Sequence, residues 1–164
     1  MAADERVKAI GPIATKPLFD IVVDLNPRLN FGDGPLGRRV LFGAAGGSFD
    51  GPKLRGDVVA GGGDWALFRP DGTMTLDVRL TLRTHDKELV HMSYGGRWLV
   101  PPELRAEIAD PLKRYQVDPK QYYFRTNPLF ETGSARYSWL NDIVCAGSGY
   151  LVDGGVAYHV EQIL

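Results

Sequence analysis

The chain has a single cysteine, Cys145, so no disulfide can form within it, and a reducing, cytoplasmic setting is the expectation. Its only histidines are His85, His91 and His159, with no paired-ligand spacing, so no metal site is expected. Long apolar runs are missing, and no stretch approaches a membrane span. The opening residues MAADERVKAI have no apolar core of the kind a secretory signal carries. Charge of one sign is also missing. The net charge is −1, and the densest basic pairs, Arg38-Arg39 and Lys113-Arg114, stand alone. A nucleic-acid binder would present a basic face, so nucleic acid is not an expected partner. The run Gly61-Gly62-Gly63 is not followed by the lysine and hydroxyl residue of a phosphate loop. It reads as a turn or bulge, and no cofactor is implied.

What the chain has in abundance is punctuation. Its 164 residues include 20 glycines and 11 prolines, with no collagen period and no low-complexity tract. Apolar residues make up 44% and charged residues 24%, enough for one domain with a real core. Between the turn signals the apolar pattern has a period of two. Phe19, Ile21, Val23 and Leu25 alternate with polar or smaller residues up to Asn26-Pro27. Phe31–Gly37 reads as a loop, and strands follow near 38–44, 54–59 and 65–69. Pro70-Asp71-Gly72 marks a hairpin turn. The next strand is the clearest, with Met74, Leu76, Val78, Leu80 and Leu82 on one face and Asp77, Arg79, Thr81 and Arg83 on the other. A strand near 89–94 comes next. Leu104, Ile108, Leu112 and Tyr115 have helical spacing, with Pro102 at the start and Pro111 as a break. Strands resume at 121–126, 143–152 and 156–164.

The pattern predicts an all-β fold: an antiparallel β-barrel of about eight to ten strands with one short helix near 102–110, a β-sandwich being the alternative. Residues 1–17 are expected to form a flexible N-terminal arm and 18–164 a single barrel domain. Cys145, in the apolar strand Ile143-Val144-Cys145-Ala146, is expected to be a buried, unreactive core residue.

Three runs carry a resemblance. The first is Gly47, Phe49, Gly51-Pro52, Leu54-Arg55-Gly56, Val58, Gly61-Gly62 and Asp64-Trp65. The second is Asp77, Arg79 and Thr81-Leu82-Arg83-Thr84. The third is Tyr122-Tyr123-Phe124-Arg125-Thr126, Pro128, Phe130-Glu131-Thr132-Gly133, Tyr137 and Trp139-Leu140-Asn141. Together they resemble the uncharacterised bacterial and fungal family numbered zero-three-one-one in the UPF series, over about residues 15–164. The chain departs from the family's usual acidic residue and glycine after Arg83-Thr84, where it reads His85-Asp86-Lys87. The resemblance implies a small antiparallel barrel and no particular activity. It also carries Asp77, Arg79, Thr81 and Arg83 together, which favours turning that polar face into a lumen; a solvated outer face is the other reading. With the polar face inward, the leucine face needs cover, and a homodimer is the expected solution.

The candidate ligand-binding residues are Asp64, Trp65, Arg83, Tyr123, Arg125, Glu131 and Trp139. Arginine forks bind carboxylates, and tyrosine and tryptophan offer flat apolar walls with a polar edge. Asp64 is a candidate general base at a barrel mouth or a turn cap, and Arg125 with Glu131 is either part of a pocket or a structural ion pair. The expected function is binding or acid–base conversion, without a cofactor, of a small anionic or aromatic metabolite by an isomerase, cyclase or lyase type of step. The alternatives are a non-catalytic carrier and a structural, oligomerising protein.

Overall fold

The computed structural model describes residues 4–164. Asp4–Ala14 precede the sheet, and β1 begins at Thr15 and runs to Leu25. The remaining strands are β2 (Leu29–Gly34), β3 (Gly37–Asp50), β4 (Arg55–Phe68), β5 (Met74–Thr84), β6 (Leu89–Leu99), β7 (Tyr123–Thr126), β8 (Leu129–Glu131), β9 (Cys145–Val152) and β10 (Gly155–Ile163), with a short helix α1 (Arg105–Ala109) between β6 and β7. The sheet runs β1-β10-β9-β7-β6-β5-β4-β3, and β3 pairs back onto β1, so eight antiparallel strands close into a barrel. Closure leaves the ring without a free edge. Two short strands extend it: β2 continues the line of β1 along β3, and β8 continues the line of β7 along β6.

Two glycine features shape the long strands. Sequence patterning splits 54–69 into two strands, but β4 is continuous. Residues 60–62 bulge outward opposite Leu80 alone, between the pairs Val59–Thr81 and Gly63–Arg79. Gly62, at φ +73, lies so close to the Arg79 carbonyl that a Cβ would sit 2.3 Å from its oxygen. Only glycine permits this corner, and a bulge of this kind bends a long strand around a barrel. β2 was also unforeseen, because its burial pattern is almost wholly exposed and has no alternation to read.

The faces of β5 correct the inward-polar reading. Met74, Leu76, Val78, Leu80 and Leu82 are buried inside the barrel, and Asp77, Arg79, Thr81 and Arg83 face solvent. Burying an aliphatic side chain stabilises by roughly 1.5–3 kcal/mol, and a wall of charged residues has no comparable gain inside. Asp77 and Arg79 pair outside at 2.8 Å. The physical argument for a homodimer goes with this, since the leucine face is already covered.

The barrel has unlike ends. At the end that holds the β3–β4 and β5–β6 turns, Leu18, Phe19, Phe49, Leu54, Phe130, Tyr137 and Leu140 are all buried. Residues 132–143, including a single 3-10 turn at Ser138–Asp142, fold across this end as a plug. The plug is pinned by Asp86, which accepts from Thr84 Oγ1 at 2.5 Å, Tyr137 Oη at 2.9 Å and Arg136 at 2.9 Å. Asn141 adds a reciprocal pair with the Thr132 backbone at 2.8 and 3.0 Å. At the other end, the β1–β2, β4–β5 and β9–β10 connections surround an opening, and the segment 100–121 with α1 crosses it as a strap.

Candidate active site

The opening leads into a cavity of about 1020 Å³. Its walls are mostly apolar, from Val23, Phe42, Phe68, Met74, Val78 and Leu80 among others. One wall is a run of touching rings. Trp98 stacks on Phe124 with centroids 5.4 Å apart, Phe124 meets Tyr158 edge-on at 5.5 Å, and Tyr158 meets Tyr94 at 5.4 Å. The Phe124 ring fits because Gly149 faces it; a Cβ there would lie 2.8 Å from the ring.

A carboxyl group lies in this apolar setting. Asp64 is paired with Val78 across β4–β5 and with Phe42 across β3–β4, so it shares their inward face. The β4–β5 ladder opens just beyond it, and the Asp64 carboxylate accepts the Asp77 backbone N–H at 2.9 Å. Burial dominates its ionisation and pushes its pKa up to about 7, against the lowering effects of that N–H and of the Arg39 charge. Tyr94 and Tyr158 stand nearby on β6 and β10. Burial holds both phenols above their ordinary range, and the Asp64 charge adds to this. Both tyrosines therefore remain neutral hydrogen-bond donors near neutral pH. Asp64 there is divided between acid and base forms.

Of the residues expected to converge, only Asp64 lines the cavity. Trp65, its neighbour, faces outward into a shallow groove with Phe31, Arg39, Asp77 and Arg79. Arg83 is on the outer wall, 3.7 Å from Asp57. Tyr123 and Arg125 flank inward Phe124 and so point outward; Arg125 lies 5.5 Å from the Tyr123 ring centre and donates to the Phe124 carbonyl at 2.9 Å. Glu131 is exposed, opposite His91 on β6, whereas Arg125 is opposite Arg97. The six residue steps from His91 to Arg97 separate them by roughly 20 Å along the strand, so neither a shared pocket nor an Arg125–Glu131 ion pair forms. Trp139 sits at the plugged end, with the Lys53 ammonium 5.2 Å from its ring centre.

The residues missed from sequence are Tyr94, Trp98, Phe124 and Tyr158. Tyr94 continues the inward series Val90-Met92 on β6, and Tyr158 lies between inward Val156 and Val160 on β10, opposite buried Ile21. A hydroxyl-bearing ring placed by period two on an apolar face was the available signal.

Comparison with known proteins fits this architecture. The family described as "Protein of unknown function (DUF3237)" matches residues 13–163. UPF0311 protein RPA1785 of Rhodopseudomonas palustris is 32% identical over 153 residues, covering 93% of this chain and 97% of the relative. A crystal structure of RPA1785, a conserved protein of unknown function, superposes with a TM-score of 0.87 at 30% identity, covering 94% and 100% of the two chains. A crystal structure of a β-barrel-like protein from Acinetobacter baumannii AYE gives a TM-score of 0.81 at 33% identity, covering 95% and 99%. A crystal structure described as an enzyme from Penicillium herquei shares the fold, with a TM-score of 0.70 at 21% identity and coverage of 96% and 99%.

Proposed function

The chain belongs to the DUF3237 family of proteins of unknown function, and from that premise we propose that it is a cofactor-independent acid–base enzyme acting on a small aromatic molecule held in the barrel lumen. The observation that carries this is Asp64, a carboxyl group with its pKa at about 7, in an apolar cavity beside two neutral tyrosines. A general base works best with a pKa near the ambient pH, and burial is the usual means of raising a carboxylate to that value. Asp64 takes a proton from carbon or oxygen of the substrate, and Tyr94 or Tyr158 donates a hydrogen bond to the oxygen that gains negative charge. Asp64 then returns the proton at a different atom. No electrons leave the substrate, so isomerisation, ring closure and elimination are within its reach. The ring wall Trp98–Phe124–Tyr158–Tyr94 supplies flat contact for an aromatic body. The Penicillium neighbour described as an enzyme supports a catalytic use of this fold at the level of the fold alone.

The test is isotope exchange. Aromatic ketones incubated with the protein in deuterium oxide should gain deuterium at the carbon beside the carbonyl, read by mass spectrometry. Asp64→Asn should abolish the exchange and Tyr158→Phe should slow it. A carrier would bind the same ketones, seen as ring-current shifts in the ligand spectrum, and leave them unlabelled; that result would reject catalysis.

A further inference from the structure

We infer that the mouth of the barrel selects anions: Arg28 and Arg105 hold the charged end of an aromatic acid while its ring body lies on the Trp98–Phe124 wall. This rests on the lumen being a ligand site. Both arginines line the cavity and both are exposed. They come from unrelated segments, Arg28 from the turn between β1 and β2 and Arg105 from the strap.

Among the described residues neither has a carboxylate partner, and of the unpaired arginines these two line the cavity. Arg38, Arg69, Arg79, Arg83 and Arg136 each lie against an aspartate. Arg114, which also lines the cavity, is occupied by the Ala109 and Asp110 carbonyls, at 3.0 and 3.4 Å, and so fixes the strap. Arg28 and Arg105 have no carboxylate within ion-pair distance among the described residues, although Glu103, Glu107 and Asp110 are close to Arg105 in sequence. Those three acids do not line the cavity; Asp153 is the carboxylate that joins Asp64 in doing so. Asp64 itself is partly neutral near pH 7. The opening therefore has an excess of positive charge above an apolar chamber.

The position of Arg105 has its own support. Its guanidinium lies over Gly72 in the β4–β5 turn, 3.1 Å from where a Cβ would be, and Gly72 has φ +86. A side chain at 72 would strain this left-handed turn and push the guanidinium aside by at least a few tenths of an ångström. The strand from Met74 at the mouth to Val78 beside Asp64 spans roughly 13 Å, about the length of a molecule of two or three rings. A ligand of that size with a terminal carboxylate or sulfonate reaches both the rim and Asp64.

Two probes of nearly equal shape separate charge from ring: anilinonaphthalene sulfonate and the uncharged phenylnaphthylamine. A Trp65→Phe, Trp139→Phe background leaves Trp98 as the sole tryptophan of the chain, and its quenching reports occupancy of the cavity. The sulfonate is expected to bind at least 10-fold more tightly than the neutral probe, with a preference that weakens in salt. Arg28→Ala with Arg105→Ala should weaken sulfonate binding about 10- to 100-fold and leave phenylnaphthylamine unchanged. Gly72→Val should reduce the same preference. Equal binding of both probes, or a double variant that keeps the preference, would overturn the anion rim and leave the lumen as a neutral-ligand site. No quenching of Trp98 by either probe would overturn both.

Discussion

The two ends of the barrel hold their aspartates in opposite conditions. At the plugged end Asp86 accepts hydrogen bonds from Thr84, Tyr137 and Arg136, and its pKa is lowered to about 2, the Thr84 hydroxyl being the largest cause. At the open end Asp64 has one backbone N–H and apolar neighbours, and burial raises its pKa to about 7. The first carboxylate contributes to folding as an anion. The second opposes folding as an anion and gains a poised proton in return. Stability and the proposed chemistry thus lie at different ends of one chamber, and each can be disturbed without the other.

The largest expected effect is at the plug. Leu140 is fully buried, and Leu140→Ala should cost about 2–5 kcal/mol in denaturant unfolding. Cys145, also fully buried, should react with thiol reagents only slowly in the native chain, burial having pushed its thiol up to about 11, and Leu140→Ala should speed that labelling. Fast labelling of the unmodified protein would mean that this end opens readily and would erase the contrast.

Next in size is a pH effect at the open end. The folded pKa of Asp64 is about 7 against an unfolded value of 3.8, so the native state holds the proton more tightly. Its contribution makes stability fall as pH rises from about 4 to 7. Asp64→Asn removes this slope, and should be more stable than the parent by about 1–3 kcal/mol at pH 8 with no gain at pH 4. Identical melting curves at pH 8 would show that water reaches Asp64 freely enough to cancel the burial.

Asp86 has the reverse sign. Its folded pKa lies below the unfolded 3.8, so its support is complete above about pH 4 and is lost as pH falls towards 2. Asp86→Asn should lower the melting temperature at pH 7 and flatten acid unfolding in that window. The smallest effect belongs to the rim: Arg28→Ala and Arg105→Ala should each move stability by no more than about 0.5 kcal/mol, whatever they do to ligand binding. A large loss of stability there would make the arginines braces instead of ligand contacts.

The strands were legible wherever one face was apolar and the other polar, as in β1 and β5, and the helix was legible from Leu104 and Ile108. β2 was not legible, because it is exposed almost throughout. The two halves of β4 could not be joined from sequence, because the glycine bulge conceals their continuity. The site was less accessible. Tyr123-Phe124-Arg125 gathers three notable side chains in consecutive positions, and a strand must send the middle one opposite to its neighbours. Phe124, the least distinctive of them, went to the lumen. The density of unusual residues in 122–141 marked a plug and an outer wall, and Asp64 reached the chamber from a distant strand through a register that only pairing reveals.

The plugged floor makes the chamber a vessel with one door. Under the proposed catalysis, a product has to leave by the way its substrate came, and a second large reactant cannot arrive from behind. Turnover in such a vessel is strictly sequential in traffic: product left inside competes directly with the next substrate, and a reaction that joins two bulky molecules is excluded unless both pass the strap in turn. For the proposed acid–base enzyme, simple competitive product inhibition, with a single organic substrate and water or protons as co-reactants, is the kinetic form that follows from Tyr137 and Leu140 closing the far end.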